Sequence, residues 1–240
     1  MADAGTSHAL IIVPALDEEE TIGGVVRGLR EWGYHVLVVS DGSRDETPDR
    51  ALAAGAEVLV LPINLGVGGA LRLGFREAIR RGYRTVVQCD ADGQHDPGQV
   101  GLLLAEMDAA GLDMVIGSRF ADGDAHYEVG ATRRRAMRLL AAIARRATRT
   151  DITDPTSGFR AIREPLLSEF ARSYSAEYLG DTIEALVLAG RNGFAVGEVP
   201  VTMRERQGGQ PTAGPLSSAW YVVRVLTLLA VLWSPSSRRP

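Results

Sequence analysis

The sequence predicts an α/β protein, doubly wound in its first half, with a mostly parallel sheet flanked by helices. Three observations predict it. Short β-branched runs alternate with amphipathic stretches from the N-terminus onward. Several of those runs are almost wholly apolar, as in Leu37-Val38-Val39, the pattern of strands covered on both faces. Acidic clusters follow the first, second and fourth runs, where a doubly wound sheet presents its ligand edge.

In chain order, strands are expected over 9–14, 35–40, 57–61, 84–89 and 113–118. Helices are expected over 18–32, 45–55, 68–82 and 97–110. Asp96-Pro97 reads as an N-cap followed by proline in the first turn. The second half is less regular. A helix is expected over 133–149, a turn-rich stretch over 151–158, helices near 164–172 and 177–192, and a strand over 195–202. Residues 206–215 are rich in Gly, Gln and Pro and read as a mobile loop, with Gly208 and Gly209 able to let it close. The expected organisation is a catalytic domain over 1–214 and an apolar or amphipathic C-terminal helix over 215–240.

That C-terminal run, 219–233, is interrupted by Arg224. It is too short and too charged for a spanning segment. Trp220, Tyr221 and Trp233, with Arg238 and Arg239 beyond, resemble interfacial anchoring. Packing as an ordinary core-covering helix is the alternative.

The 240 residues suffice for one full core or a domain with a short appendage. Apolar residues make up 45% and charged residues 23%, as in ordinary globular proteins. A net charge of −4 makes no electrostatic case for a nucleic-acid partner. The average hides a local excess: residues 131–150 hold seven arginines and no acid. The single cysteine, Cys89, cannot form an internal disulfide and reads as a packed thiol. The short polar stretch 1–7 lacks a signal-peptide apolar region, so the chain is expected in the cytoplasm or at the cytosolic face of a membrane.

The chemistry is expected beyond the strand ends. Pro14-Ala15-Leu16-Asp17-Glu18-Glu19-Glu20 follows the first strand, Asp41-Gly42-Ser43-Arg44-Asp45 the second, and Asp90-Ala91-Asp92-Gly93-Gln94 the fourth. Converging carboxylates repel unless a cation sits among them. A hard divalent ion with oxygen ligands answers that, with Asp90, Asp92 and the Gln94 carbonyl as protein ligands and phosphate oxygens completing the shell. The plain alternative is that each acid caps the next helix; it is the stronger reading for Asp17, Asp45 and Asp96. Gly66, Gly68 and Gly69 lack both the GxGxxG spacing and a P-loop lysine, so they read as a glycine turn entering a helix.

Together these stretches, with Asn64-Leu65-Gly66-Val67-Gly68-Gly69-Ala70, Ile116-Gly117-Ser118-Arg119-Phe120 and Asp154-Pro155-Thr156-Ser157-Gly158-Phe159-Arg160, resemble the inverting family 2 glycosyltransferases of the GT-A fold. The branch they look most like contains the dolichol- and polyprenyl-phosphate sugar synthases. The resemblance runs over roughly residues 9–210. It implies that Pro14, Leu16 and Glu18 line a nucleoside pocket and that Asp41 hydrogen-bonds the base or ribose. It implies that Asp90, Ala91 and Asp92 contact the diphosphate and sugar of a UDP- or GDP-sugar donor. Asp92 and Gln94, with Asp90 nearby, would hold Mg²⁺ or Mn²⁺, and Arg119 and Arg206 would face phosphates. Many relatives carry Asn in place of Asp17 and an aromatic in place of Leu16, and both departures bear on nucleotide specificity.

The acceptor side has fewer signals. On a helical period Arg134, Arg138, Arg145 and Arg149 share one face, opposite Ala136, Leu140, Ile143 and Ala147. That is either a solvated face or a basic surface for lipid headgroups. Arg133, Arg134 and Arg135 stand where the resemblance implies acceptor binding, so a lipid-phosphate acceptor and a membrane surface or membrane-protein partner are expected. A hydroxyl acceptor would need a general base, for which Asp181 is the candidate; a phosphate is already anionic and needs none. Asp181→Asn separates the two. A nucleotide-sugar pyrophosphorylase would need a basic, glycine-rich first loop, where acids stand here. A non-catalytic nucleotide-sugar binder is disfavoured by the intact Asp90, Asp92 and Gln94.

Overall fold

The computed structural model describes residues 9–120, 131–174 and 180–204. The elements are β1 (Ala9–Ala15), α1 (Ile22–Glu31), β2 (His35–Ser40), α2 (Thr47–Ala53), β3 (Glu57–Val60), α3 (Val67–Arg80), β4 (Thr85–Gln88), α4 (Val100–Ala109) and β5 (Met114–Ser118). The second half adds α5 (Ala131–Thr148), β6 (Arg160–Arg163), α6 (Leu166–Ser173), α7 (Gly180–Arg191) and β7 (Val196–Pro200). The strands form one sheet in the order β3-β2-β1-β4-β6-β5-β7. Every neighbouring pair is parallel except the two that β6 makes, with β4 and β5.

The five strands of the first half stand where the apolar runs predicted them. β1 and β2 are buried almost throughout because helices cover both sheet faces. On one face Ile11, Val13, Val36, Val38, Val87 and Val115 meet Ile22, Val26 and Leu29 of α1 and Val100, Leu103 and Met107 of α4. On the other, α3 approaches closely: a Cβ at Gly74 would lie 2.7 Å from the Ile12 side chain. There Phe75 and Phe170 both meet Tyr174 edge-on, with centroids 5.2 and 5.0 Å away. Such pairs add about 0.5–1.5 kcal/mol each beyond their buried area.

Two expectations need correction. The first helix begins at Ile22, not near 18, because residues 18–21 form a turn closed by the Thr21 N–H on the Glu18 carbonyl. Strand β6 was not expected at all: the stretch after 158 was read as leading straight into a helix. Only four residues long and flanked by arginines, β6 shows no apolar period, and one of its buried positions is Arg160 itself. The glycine turn is as expected, with Gly66 at φ 82° preceding α3. Cys89 is buried, and burial pushes its thiol pKa well up. Among the described residues no helix is long and apolar enough to cross a membrane. The loop over 206–215 and the helix over 215–240 lie outside the described residues.

The topology gathers the site. The carboxyl ends of β1, β2, β4, β5 and β7 share one edge, and β6, running the other way, begins there: Arg160 pairs with Gln88 and with Ile116. The turn before β6 therefore lands beside the residues that follow β4.

Candidate active site

The loops after β1 and β2 hold each other through their side chains. The Asp17 carboxylate accepts the Arg44 N–H at 2.7 Å, and the Asp17 N–H donates to Ser43 Oγ. The Glu18 N–H donates to Thr47 Oγ1 at 2.8 Å, and the Glu19 N–H to Asp45 at 3.1 Å. Asp17 does not cap a helix. It sits at φ 52°, the left-handed region that Asp and Asn tolerate better than other side chains. Its departure from Asn thus concerns loop geometry. Asp45 does serve α2, accepting the Thr47 N–H at 3.0 Å. Burial raises its pKa, but the hydrogen bonds from Thr47 and the Glu19 amide outweigh that, so the net shift is downward. Asp96 caps the turn at Pro97–Gln99 by accepting the Gly98 N–H, as expected.

Of the expected nucleoside residues, Pro14 closes β1 and Leu16 is 39% exposed just beyond it. The Glu18 carboxylate accepts from Thr21 Oγ1 at 3.0 Å, which ties it to the start of α1. Asp41 is buried and accepts the Leu65 N–H at 2.7 Å, fastening the β3–α3 loop over the end of β2. Burial raises its pKa; the amides of Leu65 and Gly66 oppose that rise. Gly42 beside it is required: it sits at φ +75°, and a Cβ there would lie 2.7 Å from the Asn64 nitrogen.

Asp90, Ala91 and Asp92 follow β4 directly. Asp92 is buried and accepts the Gln94 N–H at 3.0 Å. The Asp90 side chain is 42% exposed, yet braced from two sides. His95 Nδ1 accepts the Asp90 N–H at 3.0 Å, which places the ring proton on Nε2, 3.6 Å from the Asp90 carboxylate. The His95 ring stacks on Phe159 with centroids 4.7 Å apart. Gly158 closes the other side: a Cβ there would lie 2.8 Å from both Asp90 oxygens.

The donor set fits a hard divalent cation only with help. Among the described residues no group of three or more His, Cys, Asp or Glu could hold a metal ion. Two carboxylates and an amide oxygen leave positions for phosphate oxygens, the pattern Mg²⁺ and Mn²⁺ adopt on nucleotide substrates. The Gln94 backbone carbonyl accepts the Arg204 N–H at 2.9 Å, which leaves its second lone pair, and the side-chain amide oxygen, as the oxygens Gln94 can bring.

Arg119, expected to face phosphate, extends from the end of β5 and is gripped by Asp154. Its Nε and Nη2 reach the two carboxylate oxygens at 2.7 and 2.9 Å. Asp154 is fully buried, and its own N–H donates to Glu198 of β7 at 2.8 Å. Glu198 also accepts the Thr153 N–H at 2.7 Å. After β7 the chain crosses the loop that follows β4: Met203 bridges to His95, and Arg204 pairs with Asp96 at 2.8 Å.

His95, Asp154, Glu198 and Arg204 had no role in the sequence reading. His95 and Asp154 stand inside quoted motifs, which was the available signal; Glu198 and Arg204 gave none, because their partners are distant in sequence. The side chains of Arg133, Arg134, Arg135 and Asp181, and the whole of Arg206, lie outside the described residues. On α5, Arg145 is exposed and Leu140 buried, as the helical period predicted, but Ala141 and Ala144 are the other buried positions while Ile143 and Ala147 are half-buried, and Arg149, exposed, lies just past the helix. A cavity of about 400 Å³ opens at the opposite end of the sheet, lined by Ile79, Tyr83, Arg84 and Glu164 among others. Among the described residues that line it Glu164 is the acid, and it is bound to Ser168.

Comparison with known proteins agrees with this geometry. The model of the family described as glycosyl transferase family 2 matches residues 10–170. The polyprenol monophosphomannose synthase of Mycolicibacterium smegmatis is 34% identical over 213 residues, covering 85% of this chain and 80% of that protein. The undecaprenyl-phosphate mannosyltransferase of Micrococcus luteus is 33% identical, covering 85% and 86% respectively. Among solved structures, glucosyl-3-phosphoglycerate synthase of Mycobacterium tuberculosis, in complex with Mn²⁺, UDP and phosphoglyceric acid, superposes with a TM-score of 0.72. It is 25% identical, and the match covers 98% of this chain and 82% of that one.

Proposed function

This chain belongs to glycosyl transferase family 2 and is a glycosyltransferase of the GT-A fold, and from that membership we propose that it transfers a sugar, with inversion, from a nucleotide-sugar donor to a polyprenyl phosphate, assisted by Mg²⁺ or Mn²⁺. The observation that carries the donor side is the Asp90-Ala91-Asp92 turn at the end of buried β4. There the Asp92 carboxylate accepts the Gln94 N–H, the Asp90 N–H donates to the His95 imidazole, and the Asp90 carboxylate lies against Gly158. UDP- and GDP-sugars are the donors to test, since a structural neighbour is bound to UDP and two relatives are named as mannose transferases.

A divalent cation held by Asp92, the Gln94 amide oxygen and Asp90 would neutralise the charge that builds on the departing nucleoside diphosphate. The residues around it have separate tasks. Asp41, Asp17 and Asp45 keep the first two loops in register around the nucleoside. His95, which accepts the Asp90 N–H, and Gly158, which lies against its carboxylate, fix the turn that presents Asp90. Arg119, oriented by Asp154, brings a cation to the phosphate-bearing edge.

In this reading a phosphate oxygen of the acceptor attacks the anomeric carbon from the face opposite the leaving group. The new C–O bond forms as the bond to the diphosphate breaks. No proton must leave the acceptor, so Asp181 is not needed as a base. The names of the relatives support the polyprenyl-phosphate acceptor. Arg133, Arg134 and Arg135 would receive its phosphate, Arg206 would serve a donor phosphate, and residues 215–240 would rest on the cytosolic face of the membrane.

The test is a panel of UDP-, GDP- and dTDP-sugars scored for Mn²⁺-dependent thermal stabilisation, since a ligand of the folded state raises the melting midpoint. The stabilising donor is then offered with polyprenyl phosphate or with 3-phosphoglycerate. Transfer to the lipid phosphate is the expected result; transfer to phosphoglycerate alone would replace that acceptor. Asp92→Ala should lower turnover roughly 100- to 1000-fold while its circular dichroism remains that of the wild type. Undiminished turnover in this variant, or in excess chelator, would remove the metal site.

A further inference from the structure

Behind the acidic turn, two buried polar side chains share the sheet face covered by α3 and α6. Gln88 and Arg160 are direct partners in the β4–β6 register, which sets their Cβ atoms about 5 Å apart on one face. Arg160 is fully buried. Its Nε donates to the Ser157 carbonyl at 2.7 Å, Nη2 to the Pro155 carbonyl at 3.0 Å and Nη1 to the Thr182 carbonyl at 3.1 Å. These carbonyls belong to two separate segments. One is the turn that lays Gly158 on the Asp90 carboxylate. The other is the first turn of α7, where Thr182 follows Asp181.

Gln88 is 2% exposed, and its Oε1 has no hydrogen-bond partner. An orphaned buried acceptor is costly and uncommon in folded proteins. The neighbouring positions on this face, Val86, Ile116 and Ile162, are aliphatic and buried. A methionine at 88 would therefore fill the space without an unmet polar group. Arg160 has five N–H groups, and three are used by the carbonyls. Gln88, whose Oε1 finds no partner among the described residues, thus stands at the strand position paired with Arg160, whose guanidinium carries more N–H groups than the three carbonyls require.

We propose that Arg160 is a positioning residue for sugar transfer and that Gln88 is its second acceptor. With Thr182 engaged, the guanidinium ties the first turn of α7 to the turn that supports Asp90. With Thr182 released, the same N–H turns to Gln88 Oε1, so α7 can move without stranding a buried cation. The pair thereby sets the spacing between the donor side and the helix that borders the acceptor side. This rests on taking the start of α7, where Asp181 was the candidate acceptor-side base, to border the acceptor.

The decisive variant is Gln88→Met in the full chain, with three readouts. The melting midpoint should equal or exceed that of the wild type. Affinity for UDP or GDP with Mn²⁺, read by thermal shift, should stay within about threefold. The kcat for transfer should fall about tenfold or more, since the two sides are no longer held in register. A merely structural amide would give an unchanged kcat, and that result overturns the proposal. Parallel loss of nucleotide binding and kcat also overturns it. Arg160→Lys keeps the charge but cannot hold both segments, and should show the same split; Gln88→Met decides the matter even where that variant does not fold. The comparison uses whichever acceptor the wild type glycosylates, polyprenyl phosphate or 3-phosphoglycerate. A failure of the lipid acceptor therefore strikes the proposed function and leaves the positioning pair to its own result.

Discussion

The ends of β1 and β2 and the ends of β6, β5 and β7 border the same edge of the sheet, yet different forces hold them. On the β1–β2 side, acidic side chains accept backbone amides of the neighbouring loop: Asp17 takes Arg44, Asp45 takes Glu19, and Asp41 takes Leu65. No charge there is fully removed from water together with its partner. On the β6–β5–β7 side, charges enter the interior: Asp154 is fully buried against a partly exposed Arg119, and Arg160 is buried against three carbonyls. A lattice of amide bonds gives a rigid cradle suited to one kind of ligand part, the nucleotide. Buried charge fails sharply when one partner is removed, and it can be repartnered, which suits a side that must admit a second substrate.

Substitutions can break that contrast or sharpen it. Arg119→Ala has the largest expected effect on stability. It leaves the fully buried Asp154 carboxylate without its partly exposed cation, a loss of about 2–3 kcal/mol, between that of an exposed and of a buried pair, measurable by urea denaturation. A loss under about 1 kcal/mol, the range of exposed pairs, would erase the distinction between the two sides. Gly42→Ala should cost roughly 2 kcal/mol: the left-handed φ accounts for about 1–2 of it, and the contact with the Asn64 backbone adds to that. Nucleotide affinity should fall with it, because the β2–α2 and β3–α3 loops separate. The smallest effect belongs to Asp17→Asn. Asn tolerates the same backbone region, and its Oδ1 can still accept the Arg44 N–H, so stability should change by less than about 0.5 kcal/mol and donor preference should be unchanged. A switch in preferred nucleotide in this variant would mean that Asp17 touches the base after all.

The same contrast explains what was legible. Strands β1, β2 and β4 announce themselves because strands covered on both faces must be apolar along their whole length. Asp90 and Asp92 were readable because a parallel strand delivers whatever follows it to the ligand edge. Asp96 declared itself as a cap through the proline behind it. Asp17, by contrast, was taken for a cap, because a lone sequence cannot show that its φ is positive. Strand β6 was hidden by Arg160, which looks like a surface residue until the carbonyls of the preceding turn and of the distant α7 surround it. Glu198 was invisible for the same reason: its partners, Thr153 and Asp154, lie more than forty residues earlier.

By itself, the sequence determined the alternation of strand and helix, and it placed the acids proposed to meet a nucleotide sugar at one edge of the sheet. These follow from local periodicity and from the one direction in which a doubly wound chain can run. Only the tertiary structure decided that β6 runs antiparallel into the middle of the sheet, that His95 and Gly158 brace Asp90, and that Asp154 and Glu198 hold the far side. Those contacts join residues far apart in the chain, and a burial that overturns a residue's usual preference leaves no periodic trace to read.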